Sequence, residues 1–246
     1  IFLIVKLKGN KMGEQFNSAK IKLGNQVISW GEDLFIMGGV NSINALDIRK
    51  AHIPGTQLKE IFIPAPMLSV NTSLAKGLSA EAYYQFMWNS FKLDPSGTYW
   101  STADFLGAGG GRGAFIPSSL GLGTPGDFDP RYANRSISAI TAAGGLVPVD
   151  KINARDGGQF GLSLRAKPEG DTEYAAYYIR YHDKLPFVGF KTSASVTSNA
   201  LALMAVEQYG EDKDLFGISA NTKVGEWAIG AELSYRPRDS VAIDPT

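Results

Sequence analysis

The stretch EWAIGAELSYRP, residues 226–237, deals its side chains alternately. Trp227, Ile229, Ala231, Leu233 and Tyr235 form an apolar series, and Ala228, Gly230, Glu232, Ser234 and Arg236 form a small or polar one. A two-residue period is the geometry of a β-strand, whose successive side chains point to opposite faces. The same period recurs along the chain. In LSAEAYYQFMWN, Leu78, Ala80, Ala82, Tyr84, Phe86 and Trp88 alternate with Ser79, Glu81, Tyr83, Gln85, Met87 and Asn89. In QFGLSLRAK, Phe160, Leu162, Leu164 and Ala166 oppose Gly161, Ser163, Arg165 and Lys167. In EYAAYYIRYH, Ala175, Tyr177, Ile179 and Tyr181 oppose Ala176, Tyr178, Arg180 and His182. Weaker strands are expected at 2–8, 19–30, 67–75, 199–208 and 214–222, while sustained helical periodicity is scarce.

What lies on each side of such strands decides the fold class. A soluble sandwich has strands of about 5–6 residues with turn signals every ~8–12. Several series here approach the roughly 9–11 residues that a tilted strand needs to cross the hydrocarbon of a membrane. The connectors also alternate: 31–66 is long, 75–77 tight, 94–157 long, 168–172 short, 183–198 of medium length and 209–213 short. Outer-membrane barrels have long outer loops and short periplasmic turns. Only TKVGE, 222–226, breaks the pattern, being short on the expected outer side. Trp88 with Phe91, Trp227 and Tyr235 sit toward strand ends, where an interfacial girdle places aromatics. The expectation is an all-β, antiparallel transmembrane β-barrel formed by residues 1–246 as a single domain. Its rival is a soluble antiparallel protein with an aromatic core.

Two connectors receive their own expectations. Segment 31–66 carries Leu34, Phe35, Ile36, Met37, Ile43, Leu46 and Ile48, too much apolar surface for a disordered loop, with short helical turns expected at Ala45–Lys50. It is expected to fold inward as a constriction or plug-like segment. Segment 94–157, rich in Gly, Ser and Pro, is expected to be a long, mobile extracellular loop.

Composition excludes several classes. Lys plus Arg number 24 and Asp plus Glu 24, so no net field draws the chain to nucleic acid. The absence of cysteine excludes disulfide scaffolds and thiolate metal sites. No apolar stretch approaches the roughly 18 residues of a helical membrane span. The chain starts at Ile1 and its last residues, SVAIDPT, carry no strand pattern, which reads as a processed or truncated start and a continuation beyond Thr246.

Motifs of catalysis are weak. Gly109, Gly111 and Ala114 match a dinucleotide fingerprint in spacing, but no strand precedes them and Pro117 interrupts any helix after them. His52 and His182 are the two histidines, and neither has a nucleophile context; for His182, at a strand end beside Asp183, a loop hydrogen bond is the expected role. Asp127 and Asp129 in GDFDP could offer oxygen to calcium or simply make a turn. The reading is non-enzymatic, without cofactor or metal.

The informative polar residues are charges within alternating strands: Glu81, Arg165, Arg180, Glu232 and Arg236. An arginine facing lipid near the midplane costs about 2–4 kcal/mol, so these side chains are expected to point inward. Expected lumen-lining residues are Glu81, Arg165, Arg180 and Glu232, with Asp33, Asn41 and Asp47 from the inward segment. For an apolar cargo, Phe35 with Leu34 and Ile36 would form the binding patch.

The stretches LGNQVISWGEDLFIMGGVNSINALDIRK and PGTQLKEIFIPAPMLSV, followed by LSAEAYYQFMW, LDPSGTYWSTADFLG, ARDGGQFGLSLR, EYAAYYIRYHDKLPFV and EQYGEDKDLFGISANTKVGEWAIGAELSYRP, carry a resemblance. In this order, from about Lys22 to Pro237, the chain resembles a proteobacterial family catalogued as domain of unknown function 1302, regarded as outer-membrane β-barrel proteins. Trp30-Gly31, Asn41 to Asp47 and Ser234 to Pro237 are the shared corners. The resemblance implies the outer membrane of a Gram-negative bacterium, contact with its lipid and lipopolysaccharide, a periplasmic carrier protein and an inner-membrane exporter as partners, and no catalytic residues. Family chains are longer, which implies a partial barrel. The expected function is a passive channel or transporter for small hydrophobic or lipid-like molecules; the alternative is a non-conducting structural or docking barrel of an envelope transport complex.

Overall fold

The computed structural model describes residues 2–8, 18–32, 38–101, 106–108, 112–113, 147–192 and 203–240. Eight strands form an antiparallel meander in which each pairs with the one before and the one after it. They are β1 (Phe2–Lys8), β2 (Ser18–Gln26), β3 (Ala65–Ala75) and β4 (Leu78–Gln85), then β5 (Gln159–Ala166), β6 (Glu173–Tyr181), β7 (Lys213–Val224) and β8 (Trp227–Tyr235). Among the described residues β1 and β8 are the two edges, and no pairing joins them. The all-β, antiparallel architecture is as expected; the described pairings leave the sheet open rather than closed into a barrel.

One end of the meander carries the short connections, 76–77, 167–172 and 225–226, while 27–64, 86–158 and 182–212 leave from the other. The strand expected at 199–208 does not join this sheet. Leu203–Gln208 pairs antiparallel with Phe187–Thr192 and parallel with Val147–Ile152, which in turn pairs with Arg112–Gly113. These pieces meet because both parent connections emerge from the same end. With that strand removed from the meander, the 225–226 hairpin falls on the short-turn end, and the exception in the connector pattern disappears. Within 94–157 the described parts thus include ladder-forming strands, not loop alone.

The two faces of the meander differ in kind. On one, Leu23 lies opposite Leu68, Tyr84 opposite Phe160, Ala82 opposite Leu162, Tyr178 opposite Phe216, and Ile218 opposite Leu233. These side chains are largely bare: Leu162 is 55% exposed, Leu233 67% and Trp227 76%. On the other face Gln26, Ser69, Glu81, Gln85, Gln159, Ser163 and Ser219 accompany Tyr83, Tyr177 and Ile179, and the chain between β2 and β3 lies across them. The apolar cluster of Ile28, Trp30, Val40, Ile43, Met67, Tyr83, Tyr177, Ile179 and Leu215 forms there.

One strand departs from expectation. In β6 the series Ala175, Tyr177, Ile179 and Tyr181 is buried on the covered face, and Tyr174, Ala176, Tyr178 and Arg180 occupy the bare one. Register explains it. Tyr177 lies opposite Gly217 and Ile179 opposite Gly161, so glycines leave room for large side chains beneath the crossing segment. At Gly161 a Cβ would come within 2.5 Å of the Tyr83 ring and 2.8 Å of Trp30.

Candidate functional site

The crossing segment is fixed to the covered face by buried polar contacts. Beyond β2, the Asn44 amide acts as a surrogate backbone partner: Ile28 N–H donates to its Oδ1 at 3.2 Å, and its Nδ2 donates to Ile28 O at 2.6 Å and to Asn41 Oδ1 at 3.0 Å. Trp30, 2% exposed, sits edge-on to Tyr83 with ring centres 5.2 Å apart and donates from Nε1 to Glu81 Oε2 at 2.9 Å. Further along, the Glu232 carboxylate of β8 accepts from Glu32 N–H at 2.9 Å and from Val40 N–H at 2.8 Å. One carboxylate thereby holds the chain at both Glu32 and Val40. Gly31, at φ +83°, makes this approach possible, because a Cβ there would lie 2.2 Å from Glu232 Oε2.

At the long-connection end a second buried cluster ties β5, β6 and their loops together. His182 Nδ1 accepts from Asp212 N–H at 3.0 Å, and its Nε2–H donates to Gly157 O at 2.9 Å. Both ring nitrogens are therefore engaged in loop positioning. Gln159 Oε1 accepts from His182 N–H at 3.3 Å and from the Lys184 ammonium. Burial pulls Lys184 from its ordinary 10.5 down to about 7, against the opposing attraction of Asp183. Burial also raises the Asp183 carboxyl, although Ser240 Oγ donates to it at 3.0 Å.

Between residues 38–62, 181–187 and 236–240 lies a cavity of about 440 Å3. Its walls are mostly apolar, from Leu46, Ile48, Leu58, Ile61 and Phe91 among others, and one corner holds Tyr181, Asp183, Arg236 and Asp239. The volume falls in the roughly 300–1,000 Å3 range of small-molecule sites.

Glu81, Arg165 and Glu232 lie on the covered face, where Arg165 reaches Ser29 O at 3.5 Å and Glu173 at 3.5 Å. Arg180 does not join them. It lies on the bare face at the long-connection end, 3.3 Å from Asp212 and 3.7 Å from Asp214, because β6 presents its other series to the core. Asn41 lines the cavity. Asp47 is 4% exposed and held in a two-pronged pair by Arg49, with both contacts at 2.8 Å. The Arg49 hydrogen bond keeps the Asp47 carboxyl below its ordinary range despite burial. Asp33 and Phe35, together with Gly109, Gly111, Ala114, Asp127 and Asp129, lie outside the described residues.

Asn44, Gln159, Tyr181 and Lys184 were not singled out by sequence pattern. Tyr181 alone had a signal, as the last member of the β6 alternation; the others become meaningful only through partners distant in sequence. His52 Nδ1 pairs with Asp94 Oδ1 at 3.2 Å and its ring stacks on Trp100. Among the described residues no group of three or more His, Cys, Asp or Glu side chains could hold a metal ion.

No curated protein and no solved structure matches the chain. The model of the family described as "Protein of unknown function (DUF1302)" matches residues 8–246, and the chain belongs to that family.

Proposed function

We propose that the protein is an outer-membrane β-barrel of a Gram-negative bacterium, serving as a passive channel or transporter for small hydrophobic or lipid-like molecules. The observation that carries this reading is the inverted distribution of polarity. A water-soluble sheet hides its apolar series; here Leu162, Leu164, Ile218, Ile229 and Leu233 are bare, while glutamines, serines and Glu81 lie on the covered face. Lipid would cover the first set and a hydrated interior would serve the second.

The bare face is also layered. Toward the long-connection end an aromatic row runs through the cross-strand pairs Tyr84 with Phe160, Tyr178 with Phe216 and Phe216 with Tyr235, joined by a diagonal Phe160–Tyr178 contact with ring centres 6.0 Å apart. Beyond it stands the charged group of Arg155, Arg180, Arg238, Asp212 and Asp214. From Tyr235 to Trp227, at the opposite end, the strand runs about 27 Å at ~3.4 Å per residue, or ~20 Å across a membrane at a tilt near 40°. That approaches the apolar band of outer-membrane barrels, roughly 25 Å tall. Arginines and aspartates would then sit at the lipopolysaccharide level.

In this reading residues 31–66 narrow the lumen. The full chain should require detergent, show heat-modifiable gel migration and conduct ions in planar bilayers. Deletion of residues 33–50 should widen that conductance; an unchanged conductance would rule out the constriction. The tight burial of Trp30, Val40 and Ile43 against the sheet favours a second reading, a filled barrel that docks a periplasmic carrier and an inner-membrane exporter. It predicts no conductance and stable copurification of such envelope partners.

A further inference from the structure

Tyr181 sets the character of the cavity at the long-connection end. It is 3% exposed and lines the cavity, and its hydroxyl, with the Arg236 guanidinium beside it, has no acceptor for its proton. Buried hydroxyl protons rarely stay unpartnered, so an oxygen-bearing guest at this corner would supply what the protein does not. The surrounding charges are already matched. Arg236 donates to Asp239 at 3.0 Å and to Gly38 O, and Asp183 accepts from Ser240 beside Lys184. No net charge remains to select a carboxylate or an ammonium. The other walls are mostly apolar, from Leu46, Ile48, Leu58, Ile61 and Phe91, and the polar groups that Asn41, Ser42 and Asn44 add are uncharged. At ~30 Å3 per non-hydrogen atom the space suits a guest of roughly ten to fifteen such atoms.

We infer that the cavity binds an uncharged amphiphile, its hydroxyl or carbonyl oxygen at Tyr181 and its hydrocarbon chain against Ile48, Leu58, Ile61 and Phe91. The inference deepens the transport reading by naming a ligand class, and it rests on that reading for the ligand's route.

The test uses the full chain in lipid nanodiscs and a 1-decanol analogue with a photoreactive diazirine on its chain, followed by peptide mapping. Label should fall on residues 46–62 and 181–187. Unlabelled 1-decanol should compete about tenfold better than decanoate or decylamine, and Tyr181→Phe should weaken labelling about tenfold, as loss of one good hydrogen bond implies. Because Tyr181→Phe removes a single oxygen, unchanged heat-modifiable migration serves as its folding control. Label confined to bare-face positions such as Leu162 and Leu233, equal competition by decanoate, or unaltered labelling of Tyr181→Phe would each overturn the inference. Labelling of the cavity without solute flux in liposomes would sink the transport reading and leave the cavity assignment standing; flux without cavity labelling would do the reverse.

Discussion

Replacing Glu232 tests whether one carboxylate holds the crossing segment on the sheet. Its two oxygens each accept one backbone N–H, from Glu32 and from Val40, and Val40 is fully buried. Hydrogen bonds to a charged acceptor contribute about 1.5–3 kcal/mol each, and a buried N–H left without a partner costs a similar amount. Glu232→Ala should therefore destabilise the protein by roughly 3–6 kcal/mol. Glu232→Gln, which keeps one acceptor oxygen and turns an amide donor toward the other N–H, should cost about half as much. Gly31→Ala supplies the cross-check, since its new Cβ would lie 2.2 Å from Glu232 Oε2. In the Glu232→Ala background that clash vanishes, leaving a 3.1 Å approach to Val40 Cβ and the left-handed backbone strain of about 1–3 kcal/mol. The two substitutions should thus be less than additive by more than ~0.5 kcal/mol. The assay is denaturant unfolding of the detergent-purified chain followed by tryptophan fluorescence, in which buried Trp30 reports on the segment. An unaltered midpoint in Glu232→Ala, or an equal cost of Gly31→Ala in both backgrounds, would refute the clasp.

Trp30→Ala should cost about 3–5 kcal/mol, because it empties the centre of the covered face and leaves Glu81 without its indole donor, as read by the same unfolding curves. Lys184 titrates near 7 when folded and near 10.5 when unfolded, so between these values the unfolded chain binds more protons and stability rises with pH. Relative to Lys184→Met, the native chain should gain up to about 1.4 kcal/mol per pH unit across that window, with no difference in slope below it; parallel curves from pH 7 to 9.5 would contradict this. Ala231→Arg, on the bare face midway between Trp227 and Tyr235, should cost about 2–4 kcal/mol in phospholipid vesicles. In a water-facing sheet the same change would stay within ~0.5 kcal/mol, and that result would count against lipid contact.

The alternation in residues 226–237 read correctly as two faces because β8 packs only along one of them: every member of the Trp227 to Tyr235 series is bare. The same rule misassigned β6. Its more apolar series belongs to the covered face, since Trp30 and Val40 require an apolar floor and Gly161 and Gly217 provide the space, facts that reside in other segments. Arg180 was displaced for this reason alone. Residues 203–208 have a convincing strand composition, yet their parallel pairing with 149–152 is a long-range choice that periodicity cannot reveal. Of the site, Glu81, Arg165 and Glu232 were legible as charges in otherwise alternating strands. The Asn44 bridge, the Gln159 and Lys184 pair and the Tyr181 hydroxyl without an acceptor arise only when distant segments meet.

The open margins of the sheet carry a rule of parity. β1 advances toward the end with the short turns, and β8 advances away from it, so the two flanks point in opposite senses. A cylinder made by zipping these flanks directly would keep every neighbour antiparallel. Any additional strands inserted between them must number two, four or six to preserve that order, and an odd insertion would force one parallel seam.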